Sequence, residues 1–296
     1  MIVSAAPRLT RIVRDVWLTL TLLFLWDVAV TLFYFATPFK APALPLSLFG
    51  TALALFLGVR DSAAYQRWWE GRTLWGAMIN SSRSLARAAV AFLEGEDDAR
   101  RELRRTIVLR HVAFVYALRA RLRGQDAAPD VRRFVAAGVA DMALSRANPP
   151  NALLNRTGTA IARAQRSGLL DTIQQAQLER VLVDISNAQG GMERLKTTPL
   201  PNQYRFFPAL FTRVFCVLLP VGLVETLGWA TPVGSTLAGL MFLAVLRIGD
   251  DLVDPFANTI HDVPLDAMCR TIEIDLLEAI GDPAPEPVRP VKGVLW

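Results

Sequence analysis

Apolar residues are not spread evenly along this chain; they gather into two blocks, residues 16–59 and 206–248, separated by a long arginine-rich stretch. The first block opens with VWLTLTLLFLWDVAVTLFYFA, residues 16–36. A helix rises ~1.5 Å per residue, so about 20 residues cross a hydrocarbon core of ~30 Å. This stretch reads as a first span. Asp27 lies near its middle, where an acid is costly unless it meets a polar group on a neighbouring helix. Residues 37–45, TPFKAPALP, carry three prolines and read as a turn. LSLFGTALALFLGV, residues 46–59, is short for a span but runs without a break into the charged, helix-compatible RDSAAYQRWWEGRTLWGAMINSSRSLAR. One long helix, apolar in its first half and polar in its second, accounts for both.

Residues 77–198 read as helical and aqueous. Ile107, His111, Val112, Val115 and Leu118 fall at three- and four-residue spacing, which marks an amphipathic helix. Gly124–Asp130 and Ala147–Asn151, the latter with Pro149 and Pro150, read as loops, and a further helix is expected over about 168–188. A third span covers 206–231, with Pro220 expected to kink it. Pro232 and Gly234 are expected to turn the chain into a fourth span beginning at 235–248. A last helix covers DAMCRTIEIDLLEAI, and the proline content of the tail GDPAPEPVRPVKGVLW argues for disorder. The expected fold is therefore all-α: an integral membrane protein with four transmembrane helices and a helical cytoplasmic region. The expected divisions are 1–76 with spans one and two, 77–204 cytoplasmic, 205–256 with spans three and four, and 257–296 as a cytoplasmic helix and tail.

Charge sets the orientation. The net charge is +5 and the hydrophobic share is 52 %. Arg8, Arg11 and Arg14 precede span one, Lys40 alone sits in the turn after it, and the long connection between spans two and three is rich in arginine. Basic residues are retained on the cytoplasmic side, so both termini and the middle region are expected there, in the inner membrane of the cell. The same distribution argues against a nucleic-acid partner, because the basic residues flank apolar spans. Cys216 lies inside a span and far from Cys269, which argues against a disulfide or metal framework.

No phosphate-binding glycine loop, nucleophile elbow or metal-spaced His/Cys cluster occurs, so no catalytic residue, cofactor or enzymatic activity is expected. His111 sits on an apolar face and reads as a hydrogen-bonded core residue. Three clusters stand out. Arg67, Trp68, Trp69, Glu70 and Arg72, followed by Trp75, read as a membrane–water boundary anchor with ion pairing. Thr197–Pro201 precedes span three, where its prolines set the entry angle. Asp250, Asp251 and Asp254, with Asp262 beyond them, could hold a cation or cap helices and pair with arginines; the second reading is favoured, and no metal site is assigned.

Together these clusters resemble the bestrophin family in its bacterial branch. GTALALFLGVRDSAAYQRWWEGRTLWG at 50–76 is similar to the family's second-span signature, TTPLPNQY at 197–204 to the lead-in to its third span, and DPFANTIHDVPLDAMCRTIEIDLLE at 254–278 to its post-span segment. The resemblance covers about residues 10–280. It implies a homopentamer around one central pore lined by the second helix, with a neck at Thr51, Leu55 and Val59. It also implies a second, cytoplasmic constriction near Leu169 or Leu170. Spacing i, i+4, i+8 keeps the three neck positions close to one helix face. The implied function is passive conduction of small monovalent ions: anions as in the family at large, or sodium-like cations as in the bacterial branch. The expected partners are membrane lipid, the permeant ions and further copies of the chain.

Two departures carry expectations of their own. Thr51 is polar and Val59 small where members commonly have bulky apolar residues, so a wider or wetter neck is expected. Animal members grip calcium with an acidic run after the Pro-Phe pair. Here that run reads Ala257, Asn258, Thr259, Ile260, His261, with Asp262 its one acid, so calcium gating is not expected. The competing classes are a secondary transporter, which would call for an inverted repeat or interrupted helix pair, and a non-conducting membrane scaffold.

Overall fold

The computed structural model describes residues 1, 9–38, 44–95 and 97–296, with the side chains of 9–12 left out. Arg8 and Lys40, used above for orientation, and residues 39–43 of the first turn lie outside the described residues, as does the side chain of Arg11. Ten α-helices occur among the described residues: α1 (Leu9–Ala36), α2 (Leu46–Phe92), α3 (Asp98–Arg123), α4 (Ala128–Val131), α5 (Ala137–Leu144), α6 (Pro149–Arg166), α7 (Thr172–Thr197), α8 (Asn202–Leu227), α9 (Thr231–Leu252) and α10 (Leu265–Ala279). There is no strand among them, only an isolated bridge between Val291 and Val294. The expected all-α class is what the chain adopts.

The chain forms two compact units. One holds α1, α2 through Trp68, and Pro199–Val253; the other holds Trp69–Thr198 and Asp254–Trp296. In the first, three helical stretches are long and apolar enough to cross a membrane: Val13–Ala36, the stretch beginning at Leu46, and Asn202–Leu252. The last is two helices, α8 and α9, that pack on each other and are joined by a single 3-10 turn, Gly228–Ala230. That turn, with Gly228 at φ 54°, replaces the expected turn at Pro232 and Gly234. Pro232 instead occupies the first turn of α9, where its missing N–H would have had no helical partner anyway. Pro208 and Pro220 both sit inside α8, which runs unbroken around them.

Two ionisable groups buried inside these apolar helices have partners on neighbouring helices. Asp27 of α1, 1 % exposed, accepts hydrogen bonds from Ser235 (3.1 Å) and Thr236 (2.9 Å) of α9, the neighbouring-helix partner that its position called for. Arg60 of α2 is also 1 % exposed. Its guanidinium donates to the Leu246 carbonyl at 2.9 Å and pairs with Asp250 of α9 and with its sequence neighbour Asp61. A Cβ on Gly249 would stand 2.0 Å from the Asp61 carboxylate and 2.6 Å from that guanidinium, so the absence of a side chain there is what admits the cluster. Beside it, Leu53, Leu57, Phe215, Leu219 and Leu246 form a buried apolar core.

The second unit is built on α3, which is buried along most of its length from Ile107 to Leu122 and packs on α6 and α10. His111 is 2 % exposed; its Nε2 lies 2.8 Å from the Ser82 hydroxyl and its ring stacks on Phe114, a satisfied core histidine as expected. Two expected loops are shorter than the sequence implied. Ala128–Val131 makes a turn of helix, and Pro149 and Pro150 open α6 instead of interrupting the chain. Proline is accepted in a first helical turn, so the pair marks a start. The expected helix over 168–188 is α7, which begins at a capping box on Asp171 and continues to Thr197. The tail expected to be disordered is instead held: the Trp296 carbonyl accepts from the Ala267 N–H at 2.7 Å, and Leu295 exchanges hydrogen bonds with Met1. Prolines prevent a helix there but do not prevent docking. Cys216 and Cys269 are both free and buried.

Two outcomes follow from these buried groups. Burial pushes His111 down to about 3 from its ordinary 6.5. As pH falls below about 6.5 the unfolded chain takes up a proton that the folded chain refuses, so stability declines toward pH 3. His111→Gln should flatten that decline in thermal midpoints measured from pH 7 to 4; an unchanged slope would contradict it. For the Arg60 cluster, removing both acids (Asp61→Asn with Asp250→Asn) strands a buried cation and should cost about 3–5 kcal/mol, whereas Arg60→Met leaves only partly exposed acids and should cost less. Thermal midpoints in detergent give the order, and the reverse order would refute this account.

Candidate functional site

The face of α2 that its own unit leaves uncovered is the candidate site. Within 46–68 the buried residues are Leu53, Leu57, Arg60 and Ala64, spaced i, i+4, i+7, i+11, a single face. Two residues further along a helix is a rotation of about 200°. The stripe Thr51, Leu55, Val59 therefore points away from that buried face. All three are exposed, Leu55 at 71 % and Val59 at 54 %. Ser62 and Gln66 continue the stripe and are exposed as well. The face changes along its length from threonine through leucine and valine to serine and glutamine.

Leu55, Gly58, Val59, Ser62 and Gln66 form one wall of a groove of about 780 Å³; Leu200, Pro201 and Tyr204 form the other. The second wall comes from the lead-in to α8. Pro199 and Pro201 keep it extended between the end of α7 and the N-cap of α8 at Pro201. Leu200 is buried while Tyr204 is exposed. The motif that sequence reading placed before the third span therefore lies directly against the second helix.

Thr51 is less polar in effect than its identity suggests. Its hydroxyl donates to the Ser47 carbonyl one turn back at 2.8 Å, so the proton is already used within the helix. Nothing stands within 4 Å of where a Gly58 Cβ would be, which leaves the stripe open between Leu55 and Val59.

The other residues singled out from sequence separate into different environments. Arg67 donates to the Val253 carbonyl at 3.1 Å, and Trp68 stacks on Tyr65. Trp69 is 56 % exposed. Glu70 pairs with Arg194, and Arg72 is half-buried. Trp75 departs from the boundary-anchor reading: it is 0 % exposed, so it is core. Trp75 lies two turns beyond Trp68, on the face of α2 that also buries Gly71, Met78 and Ser82. Leu170, one of the two expected constriction residues, is 3 % exposed and packs inside its own unit, whereas Leu169 is half-buried.

The acidic residues are each taken up within their units. Asp250 pairs with Arg60, and Asp251 with Arg247. Asp254 pairs with Lys196 at 2.7 Å and accepts the Phe256 N–H, capping the Pro255–Phe256 turn. Asp262 is 2 % exposed and accepts from both the N–H and the hydroxyl of Thr259, at 2.9 and 2.6 Å. Burial pushes its carboxyl above the ordinary range while those bonds pull it back. No group of three or more His, Cys, Asp or Glu residues is placed to hold a metal ion among the described residues. Sequence reading missed Arg60; an arginine closing an apolar run, with a Gly-Asp-Asp closing another, was the available signal.

Comparison with known proteins agrees with this architecture. The family model described as bacterial/fungal bestrophin protein matches residues 6–278. The voltage-dependent anion channel-forming protein mll4386 of Mesorhizobium japonicum is 36 % identical over 242 residues, covering 82 % of this chain and 76 % of its own. The voltage-dependent anion channel-forming protein YneE of Escherichia coli is 35 % identical over 273 residues, covering 91 % and 88 %. A crystal structure of a bacterial bestrophin homologue from Klebsiella pneumoniae superposes with a TM-score of 0.85 at 33 % identity, covering 90 % of this chain and 99 % of that one. On the match along nearly its whole length, and on the shared helical fold, the chain belongs to the bacterial branch of the bestrophin family.

Proposed function

We propose that the protein is an ion channel of bestrophin type, a homopentamer in the inner membrane that passes small monovalent ions passively through one central pore. The observation that carries this reading is the exposed stripe of α2. A surface facing lipid would stay apolar along its length, yet this one passes from Leu55 and Val59 to Ser62 and Gln66. Such a gradient suits a pore wall that narrows to a dry neck and opens into a wetter vestibule. Five copies of Leu55 around an axis would exclude water and impose a barrier to ions. Thr51, its proton bound to Ser47, would add little polarity, and Val59 would form the third ring.

Thr51, Leu55 and Val59 carry no charge, so the sign of the permeant ion is set by charges lining the wider parts of the pore. Several relatives are named as anion channel-forming proteins, which supports conduction by this chain. Leu169 is the better of the two candidates for a cytoplasmic constriction, because Leu170 is buried. The arginine-rich character of residues 77–198 supports placing that region and both termini on the cytoplasmic side. Trp69 and Arg67, near the polar half of α2, suit contact with lipid headgroups.

Purified protein in a planar bilayer under asymmetric salt should give unitary current steps, with a reversal potential that reports the ion sign. Native mass measurement in mild detergent should give five copies. Leu55→Ala should raise unitary current without reducing assembly, Val59→Ala should do so more weakly, and Thr51→Ala least. Unchanged unitary current with reduced yield of folded Leu55→Ala would place Leu55 in a packed contact and refute the neck assignment. Micromolar calcium should leave opening unchanged, because Asp262 is already committed to Thr259; a steep, reversible rise of current with calcium would overturn that expectation.

A further inference from the structure

Charges at the polar ends of the membrane-spanning helices are largely matched with one another. Arg60 is held by Asp61 and Asp250, and Arg247 reaches both Asp15 and Asp251 at 3.4 Å. Arg213 departs from this pattern. It stands inside α8, within the apolar run FFPALFTRVFCVLLP, and is exposed. No acid pairs with it among the described residues. An arginine inside a span is costly unless something answers its charge.

The depth of Arg213 follows from contacts between neighbouring helices. Asp27 of α1 meets Ser235 and Thr236 of α9 while Asp15 meets Arg247, so α1 and α9 run antiparallel. α8 turns tightly into α9 and therefore runs parallel to α1. The Trp26 indole N–H of α1 donates to the Val217 carbonyl of α8 at 3.0 Å, which aligns the two helices. Twelve residues before that contact on each helix (26 to 14, 217 to 205) lie Arg14 and Arg205, both exposed. Neither has an ion pair among the described residues. Arg213 is level with Leu22, roughly 10 Å further into the span than Asp15.

Side chains on a helix lean toward its N-terminus, which for α8 is the end that carries Arg205. The Arg213 head is therefore aimed back toward the level of Arg14 and Arg205. Arg14 and Arg205 alone would be content in water on their apolar stems. Arg213 is different, because its stem starts among exposed apolar residues and its head ends near the layer of lipid headgroups. Beyond these cations the surface is apolar. Leu18, Leu22 and Trp26 follow Arg14 at four-residue spacing, all exposed, and Val217 follows Arg213 in the same way.

We propose that this surface of α1 and α8 binds an anionic phospholipid. Arg14, Arg205 and Arg213 hold its headgroup phosphate, and an acyl chain lies along Leu18, Leu22 and Trp26. Guanidinium forks match phosphate oxygens in pairs. Three cations favour a lipid with net negative charge, the kind that enriches the cytoplasmic leaflet. The inference rests on the membrane placement proposed above and not on conduction.

The test titrates the purified full-length chain in mild detergent with phosphatidylglycerol and, separately, with phosphatidylcholine of the same acyl chains. Native mass measurement should show saturable retention of phosphatidylglycerol, and the thermal midpoint should rise with it; phosphatidylcholine should do neither. Arg213→Gln, at an exposed position, should weaken phosphatidylglycerol binding about fivefold, and Arg205→Gln added to it should weaken binding about fivefold again. Arg146→Gln, at an exposed site of the other unit, should change nothing. Equal retention of the two lipids, or unchanged phosphatidylglycerol affinity in the double variant, would overturn the proposal. So would an equal rise of the midpoint with glycerol 3-phosphate, which would assign the arginines to a soluble anion. Dissociation of the assembly by the double variant, with lipid retention per subunit unchanged, would give them to a contact with a neighbouring copy and overturn it as well. No readout depends on current, so a protein that retains phosphatidylglycerol without conducting would refute the channel reading alone. Failure of the membrane placement would show separately, as a chain that stays in solution without detergent.

Discussion

The guanidinium of Arg60 is the constraint around which the apolar helices are arranged. A cation this deeply buried is tolerable only where acceptors converge on it, and here they come from two directions: Asp61 on its own helix, and Asp250 with the Leu246 carbonyl on α9. That convergence fixes the register of α2 against α9. It demands glycine at 249, since any side chain there would occupy the space of the charges. Once Arg60 is held inward, helical periodicity directs Leu53 and Leu57 inward with it and turns Thr51, Leu55 and Val59 outward. The orientation of the candidate pore wall is therefore a consequence of where one charge is neutralised.

The helical fold and its apolar blocks were legible because hydrophobic length and three-to-four-residue spacing are strong signals. The continuity of α2 across its change from apolar to charged was legible for the same reason: no proline, glycine pair or capping residue interrupts it. What was not legible has a common cause. Proline marks a boundary without saying which side of it begins a helix, so Pro149–Pro150 and Pro232 read as turns when they are first turns. Tryptophan in a charged stretch suggests a boundary, but Trp75 shows that one residue of such a cluster can point inward while Trp69 points out. At the candidate site, three neck positions could be named from a resemblance, but the opposite wall from Leu200 to Tyr204 required three dimensions. Arginines are frequent here, and only tertiary structure distinguishes those with acids from those without.

The two units handle charge differently. The one with the membrane-spanning helices contains few buried ionised groups and answers each with partners at close range. The one built on α3 joins its ion pairs into chains in which an acid serves several cations: Glu273 receives Tyr116 and Arg133 while Arg270 reaches it from one turn earlier. Such a network is rigid because no member can move without stranding another.

The Asp27 contact also bears on how the chain is made. Its hydroxyl partners, Ser235 and Thr236, lie 208 and 209 residues further along. At a synthesis rate of roughly 5–20 residues per second, α1 enters the bilayer roughly 10–40 s before α9 exists. During that interval the first helix carries an acid with neither of its final partners, in a medium that penalises it. Until α9 emerges, water or another protein surface has to supply what Ser235 and Thr236 later provide. Biogenesis of this protein is therefore a late-closing process, in which the first segment to be inserted is among the last to be sealed.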